Sequence, residues 1–217
     1  MKVYLVENPE LLTEKLFTEY IEILPFKRRQ RAMGYQRMLD RKLCILSYLL
    51  LWYGLFQEYE LTSPPVFGYG ERGKPYLKDY PNIYFNLSHC IRGAVCVVSD
   101  CETGVDIQEI RNSSTKMAKK ICSPREYETI VSTQDQAKAL CRLWTMKESY
   151  LKRIGKGIFT DISAVDTTKI LHYYIFSCDR FVLSANSAGP NATELCNVAI
   201  NDLRMLLGDV CSVYCLT

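Results

Sequence analysis

Trp144-Thr145-Met146-Lys147-Glu148-Ser149-Tyr150-Leu151-Lys152 is the stretch on which the fold turns. A rotation of about 100° per residue puts Leu140, Leu143, Trp144, Leu151 and Ile154 on one stripe. The spacing predicts a helix over residues 136–154, stopped by Gly155-Lys156-Gly157. Glu148 and Lys152 fall at the edge of the stripe, one turn apart. As a plain i,i+4 pair they would add only a few tenths of a kcal/mol. Lys147 falls inside the apolar stripe. It is either a snorkelling side chain or a break in binary patterning of the kind found at functional positions.

Upstream, Gly104-Val105-Asp106-Ile107-Gln108 reads as part of a strand over 104–110. Alternation puts Asp106 and Gln108 on one face, with Val105 and Ile107 on the other. A carboxylate and an amide carbonyl are hard oxygen ligands. With Glu148 they suit Mg²⁺, which takes one or two carboxylates plus phosphate oxygens and water. The plain alternative is that Asp106 opens a turn or caps a helix.

Phe85-Asn86-Leu87-Ser88-His89 ends a second strand, over 83–87, which is expected to deliver Ser88 and His89 into a turn. Hydroxyl, imidazole and turn N–H groups can hold a phosphate there; a lone surface histidine is the alternative. Adjacent Ser and His without a GxSxG elbow argue against a serine hydrolase. Gly73-Lys74-Pro75 constrains a turn and offers a point charge to an anion, but it is not a Walker A loop. The basic run from Lys27 to Arg31 reads alone as a solvated face.

The remaining elements are strands at 2–6, 94–99, 171–177, 180–185 and 195–199, and helices at 11–24, 30–59, 116–121, 125–131 and 201–207. Residues 60–82, rich in Gly and Pro, read as loop. The strands at 83–87, 94–99 and 104–110 are expected to form an antiparallel meander. The order strand–helix–strands occurs twice, which indicates an α/β (α+β) fold of two packed halves.

With 217 residues, 48% hydrophobic and 24% charged, the chain has an ordinary globular composition. A net charge of +3 is too small for a nucleic-acid surface, which sets aside a metal-dependent nuclease. The 10 cysteines are scattered and form no CxxC pair. They read as reduced, buried thiols of a cytoplasmic protein rather than a zinc site of His89, Cys90, Cys96 and Cys101. The apolar run 43–56 is too short to span a membrane and reads as a core helix, and no secretory signal opens the chain.

Gly73-Lys74-Pro75, Phe85 to His89, Gly104 to Ile107 and Trp144 to Lys152, in this order and at these separations, resemble the Sfp-type 4'-phosphopantetheinyl transferases. The resemblance implies a pseudo-dimer of two similar halves, 1–103 binding coenzyme A and 104–217 carrying the metal site, with the active site in the cleft between them. It implies Asp106 and Glu148 as Mg²⁺ ligands, and Lys74, Ser88 and His89 as contacts to the coenzyme phosphates. Lys27 and Lys42 align with residues that hold the 3'-phosphoadenosine part, and Lys152 faces the pyrophosphate. Glu148, Lys152 and Asp106 are then the catalytic set, with coenzyme A as substrate, an apo acyl- or peptidyl-carrier protein as partner, and a monomer as the working unit. A non-catalytic module binding coenzyme A or a carrier would not need all three. Two departures stand out. Gln108 replaces an acidic ligand of many relatives, and Gln30 replaces a basic contact, for which Arg29 or Arg31 is expected to substitute.

Overall fold

The computed structural model describes residues 1–156, 160–190 and 192–204. Its elements are, in order, β1 (Lys2–Glu7), α1 (Glu14–Ile23), α2 (Phe26–Met33), α3 (Met38–Tyr59), β2 (Phe67–Tyr69), β3 (Pro75–Leu77), β4 (Tyr84–Cys90), β5 (Gly93–Ser99) and β6 (Thr103–Glu109). There follow α4 (Thr115–Ile121), α5 (Pro124–Val131), α6 (Gln136–Arg153), β7 (Tyr173–Ser177), β8 (Phe181–Ser187) and β9 (Glu194–Asn197). The fold is mixed α+β.

Two sheets form the centre. The first has the order β4-β5-β1-β9 and the second β6-β8-β7. β1 and β5 are buried on both faces. Tyr4, Val6, Ala94, Cys96 and Val98 pack toward α3, while Val3, Leu5, Val95 and Val97 pack against Val105, Ile107, Phe181, Leu183 and Ala185 of the second sheet. Strands buried on both sides lose the polar–apolar alternation of a half-exposed sheet. The same logic governs α3, buried almost without interruption from Leu43 to Leu55. A helix apolar all round is a core helix, and no helix among the described residues is long and apolar enough to cross a membrane.

Three expectations need correction. The helix expected over 30–59 is two helices: α2 stops at Gly34, and α3 begins at Met38. No apolar stripe spans Gly34 to Arg37 between them, and the Tyr35 carbonyl turns to accept a hydrogen bond from Arg41 Nε. The meander also fails at its third strand. β4 and β1 already occupy both edges of β5, so β6 pairs instead with β8 in the second sheet. Finally, the loop over 60–82 contains a small hairpin, β2 with β3. Gly73 closes its turn at φ 78°, a left-handed conformation that favours glycine, and so presents Lys74. The helix expected over 201–207 and Gly157 lie partly or wholly outside the described residues.

Candidate active site

The site forms where α6 crosses β6. The apolar stripe of α6 does not face the sheet. It packs outward on α4, α5 and residues 162–170. The sheet side carries Cys141, Thr145 and Ser149, all small and buried, and Ser149 Oγ lies 3.2 Å from Ser184 Oγ of β8. Contact is so close that a Cβ on Gly104 would come 2.1 Å from the Ser149 carbonyl oxygen. Glycine at the head of the aspartate strand is therefore a packing requirement of the helix that brings Glu148 and Lys152.

β6 alternates as its sequence indicates, with Val105 and Ile107 in the inter-sheet core and Asp106 on the helix side. Asp106 is 2% exposed. Its Oδ1 accepts hydrogen bonds from Lys152 Nζ at 2.6 Å and Ser88 Oγ at 2.9 Å. Lys152 Nζ also donates to Ser88 Oγ at 2.9 Å and to the Val105 carbonyl at 3.1 Å. Asp106 Oδ2 is buried without any partner. Such an atom is costly to leave unsatisfied, and a hard, orphaned carboxylate oxygen suits a divalent cation.

Glu148 lies beside this cluster, half-buried. Burial raises its pKa, the nearby Asp106 raises it further, and Lys152 acts in the opposite sense. The plain alternative, an i,i+4 ion pair of Glu148 with Lys152, gives way to a pair of Lys152 with Asp106. Gln108 follows Asp106 on the same strand face, opposite Val182 of β8, and its backbone carbonyl accepts from the Cys141 thiol. Among the described residues no group of three or more His, Cys, Asp or Glu side chains is placed to hold a metal. Asp106, Glu148 and Gln108 would offer two carboxylates and an amide, a set whose chemistry fits Mg²⁺ when phosphate and water complete the shell.

Ser88 and His89 do not sit in a turn, as expected, but within β4. Consecutive strand residues point to opposite faces. Ser88 turns inward to Asp106, and His89 outward into an adjoining cleft of about 320 Å³. Asn86, on the Ser88 side, accepts a hydrogen bond from the Val105 N–H at 3.0 Å and ties β4 to β6 across the two sheets.

The cleft is a basic basin. Arg28, Arg31, Arg72, Lys74, His89 and Lys152 line it, and no carboxylate does among the described residues. Arg28 is held over the rings of Tyr48, at 4.8 Å, and Phe67, at 4.9 Å, a cation–π clamp. Lys74 reaches from its hairpin to the carbonyls of Thr103 and Arg153, and burial lowers its pKa. Desolvation by the cleft walls and then Lys152 lower the pKa of His89.

Lys27 and Lys42 are not part of this lining. On α2, Arg28 and Arg31 share the cleft-facing side at i,i+3 spacing, which turns Lys27 away. Lys42 Nζ donates to the Glu10 carbonyl. Of the two substitutes expected for Gln30, Arg31 lines the cleft while Arg29 pairs with Glu22. Arg28 and Arg72 escape a sequence reading because no helical or turn register can be fixed for them in advance.

Lys147 is fully buried and makes no contact with the cleft. Its ammonium donates to Glu126 Oε2 at 2.7 Å, the Ile121 carbonyl at 2.9 Å and the Ile162 carbonyl at 3.2 Å. Glu126 in turn closes a capping box with Ser123 at the start of α5 and accepts from Thr167. The break in the apolar stripe therefore marks a strut between segments.

Residues 102–186 match the 4'-phosphopantetheinyl transferase superfamily. The chain is 27% identical over 161 residues to 4'-phosphopantetheinyl transferase Sfp of Bacillus subtilis, covering 73% of this chain and 72% of that protein. It is 30% identical over 172 residues to slr0495 of Synechocystis, a candidate 4'-phosphopantetheinyl transferase, covering 76% and 70%. The chain belongs to the 4'-phosphopantetheinyl transferase superfamily. A third member, HetI of Nostoc, is 41% identical over 100 residues, covering 42% of each chain. The transferase match, over 102–186, begins one residue before β6 and ends one residue before the end of β8. It thus takes in Asp106, Glu148 and Lys152, while the basic basin draws mainly on elements before it.

Proposed function

We propose that the chain transfers the 4'-phosphopantetheine arm of coenzyme A to a serine of an apo acyl- or peptidyl-carrier protein and releases 3',5'-ADP. The observation that supports this most is the join of two unlike sites at Lys152. On one side lies a buried carboxylate with an oxygen left over, on the other a basin of positive charge with no carboxylate in its lining. A diphosphate bridging them would meet both.

Asp106 and Glu148, with Gln108 as a neutral third donor, would hold a magnesium ion, and a bound magnesium ion supplies neutralisation of charge on the pyrophosphate and on the departing oxygen. Arg28, Arg31, Lys74 and His89 hold the coenzyme's phosphates in this reading, with Ser88 reaching them from the Asp106 side. The serine oxygen forms a bond to the β-phosphorus, and the bond from that phosphorus to the oxygen of 3',5'-ADP breaks. Glu148 is ligand first and takes the serine proton, directly or through water, when the serine arrives. Lys152 stabilises the leaving phosphate. Positioning and electrostatics carry most of such a transfer.

The same reading treats residues 1–103 and 104–217 as two related halves with the site between them. The matching strand orders β4-β5-β1 and β7-β8-β6, each with a long helix packed on it, support the pairing. β9 is then a strand that the second segment lends to the first sheet, parallel to β1. One chain carrying both halves would act as a monomer in the cytoplasm, and the eight cysteines described are all free thiols.

The test is direct. Apo-carrier protein is incubated with the chain, coenzyme A and Mg²⁺, and its intact mass is measured. The carrier should gain one phosphopantetheine arm. A carrier of unchanged mass, under conditions where the chain binds coenzyme A, refutes the proposal.

A further inference from the structure

Lys152 belongs to both parts of the site, and its three N–H donors are already committed. They go to Asp106 Oδ1, Ser88 Oγ and the Val105 carbonyl. An ammonium has three donors and no more. It cannot keep all three protein bonds and also bind a diphosphate in the cleft it lines. The carboxylate it grips is the buried one whose other oxygen is unpaired. A cation arriving at Asp106 therefore meets a carboxylate whose charge an ammonium 2.6 Å away already offsets. Glu148 and Asp106 together carry two negative charges and Lys152 returns one, so the pocket offers a divalent ion a net charge of only −1.

We propose that Lys152 is a resident counter-ion that holds Asp106 in place in the coenzyme-free protein and suppresses divalent-metal binding there. The diphosphate of coenzyme A then draws Lys152 off Asp106, so that metal and coenzyme enter together. The inference rests on the metal reading of Asp106 and Glu148 given above, and adds an antagonism which that reading does not contain. Its consequence runs against intuition. Removing a residue of the catalytic set should improve one of the site's binding functions.

The experiment titrates Mn²⁺ into the whole protein without coenzyme A and follows the free ion by electron paramagnetic resonance. Lys152→Met removes the ammonium and keeps a chain of similar length that suits a helix. It should bind Mn²⁺ at least about tenfold more tightly than the unaltered protein, the low end of what one nearby charge does to a proton's affinity. Lys152→Gln, a milder change should the methionine fail to fold, should shift affinity the same way. Lys152→Arg keeps the charge and should leave it within about twofold of the start. Unchanged or weaker Mn²⁺ binding in Lys152→Met and Lys152→Gln overturns the counter-ion role. Asp106→Asn separates this failure from that of the reading beneath it. If Asp106→Asn weakens Mn²⁺ binding while the Lys152 variants do not strengthen it, the metal site stands and the antagonism is wrong. If Asp106→Asn has no effect, both fall.

Discussion

Two lysines on α6, five residues apart, sit in ion pairs of opposite character. On the outer side Lys147 meets Glu126, and every group is satisfied: the ammonium has three acceptors, and the carboxylate takes bonds from Lys147, Thr167 and the Ser123 N–H. On the inner side Lys152 meets Asp106, and one carboxylate oxygen is left buried and unpaired. A fully satisfied buried network is what structure needs. An incomplete one is costly unless something completes it. The first pair fixes where α4, α5 and the segment after α6 lie. The second is where a ligand is called for.

The largest expected effect is on the satisfied pair. Lys147→Met leaves the partly buried Glu126 without its ammonium and the Ile121 and Ile162 carbonyls without that donor, which should cost about 3 kcal/mol, the lower end for a broken buried pair because Glu126 keeps some water. Chemical denaturation should show that loss, and the double variant Lys147→Met with Glu126→Gln, which removes the unpaired charge and keeps oxygen acceptors for Ser123 and Thr167, should recover part of it. A single variant as stable as the parent would end the distinction between strut and site.

The inner pair should respond in activity instead. Asp106→Asn or Glu148→Gln should slow carrier modification at least about a hundredfold, as expected for loss of an electrostatic or proton-accepting group. Glu148→Gln should also raise the melting temperature, because it removes a carboxylate that burial and Asp106 disfavour. Slow turnover joined to higher thermal stability would sharpen the contrast with Lys147; near-normal turnover would erase it.

pH separates the two carboxylates next. Burial alone would push the Glu126 pKa up, but hydrogen bonds from Lys147, Ser123 and Thr167 outweigh it and leave it lowered. Its stabilisation is therefore full above the ordinary glutamate pKa and is lost as pH falls through the lowered folded value. Glu148 has the opposite sign in the metal-free protein: burial and Asp106 raise its pKa, so its ionised form costs stability, and that cost disappears as pH falls through the raised folded value. Melting temperatures taken against pH without divalent metal should therefore show the deficit of Glu126→Gln and the gain of Glu148→Gln, each relative to the unaltered protein, both shrinking on acidification. A gain in Glu126→Gln or a deficit in Glu148→Gln would contradict the assignment.

The smallest effect concerns Gln108. Gln108→Glu should tighten Mg²⁺ binding about tenfold or less if that position faces the metal, the increment of one added nearby charge. An unchanged calorimetric titration places Gln108 outside the shell.

The sequence made the inner site readable because its residues sit at regular spacings. Asp106 and Gln108 follow strand alternation, and Glu148 and Lys152 lie one helical turn apart. The rest depended on contacts between elements. That the apolar stripe of α6 faces away from the sheet, leaving Cys141, Thr145 and Ser149 against it, follows from the close approach at Gly104 and not from hydrophobicity. Lys147 broke the pattern, but only its partners on α4, α5 and residue 162 reveal a strut. A strand ending at Leu87 makes Ser88 and His89 one phosphate-binding turn. Continuing β4 to Cys90 puts them on opposite faces. The basic basin was hardest to see, since Arg28 gains its place from Tyr48 and Phe67, far from it in sequence.

Anomalous diffraction from crystals grown with coenzyme A and Mn²⁺ tests the account at its centre. The account predicts a single strong peak bound by Asp106 Oδ2 and Glu148, with the coenzyme's diphosphate on its open side and Lys152 turned toward that diphosphate. A peak elsewhere, or a coenzyme bound in the basin with no metal between those two carboxylates, contradicts it.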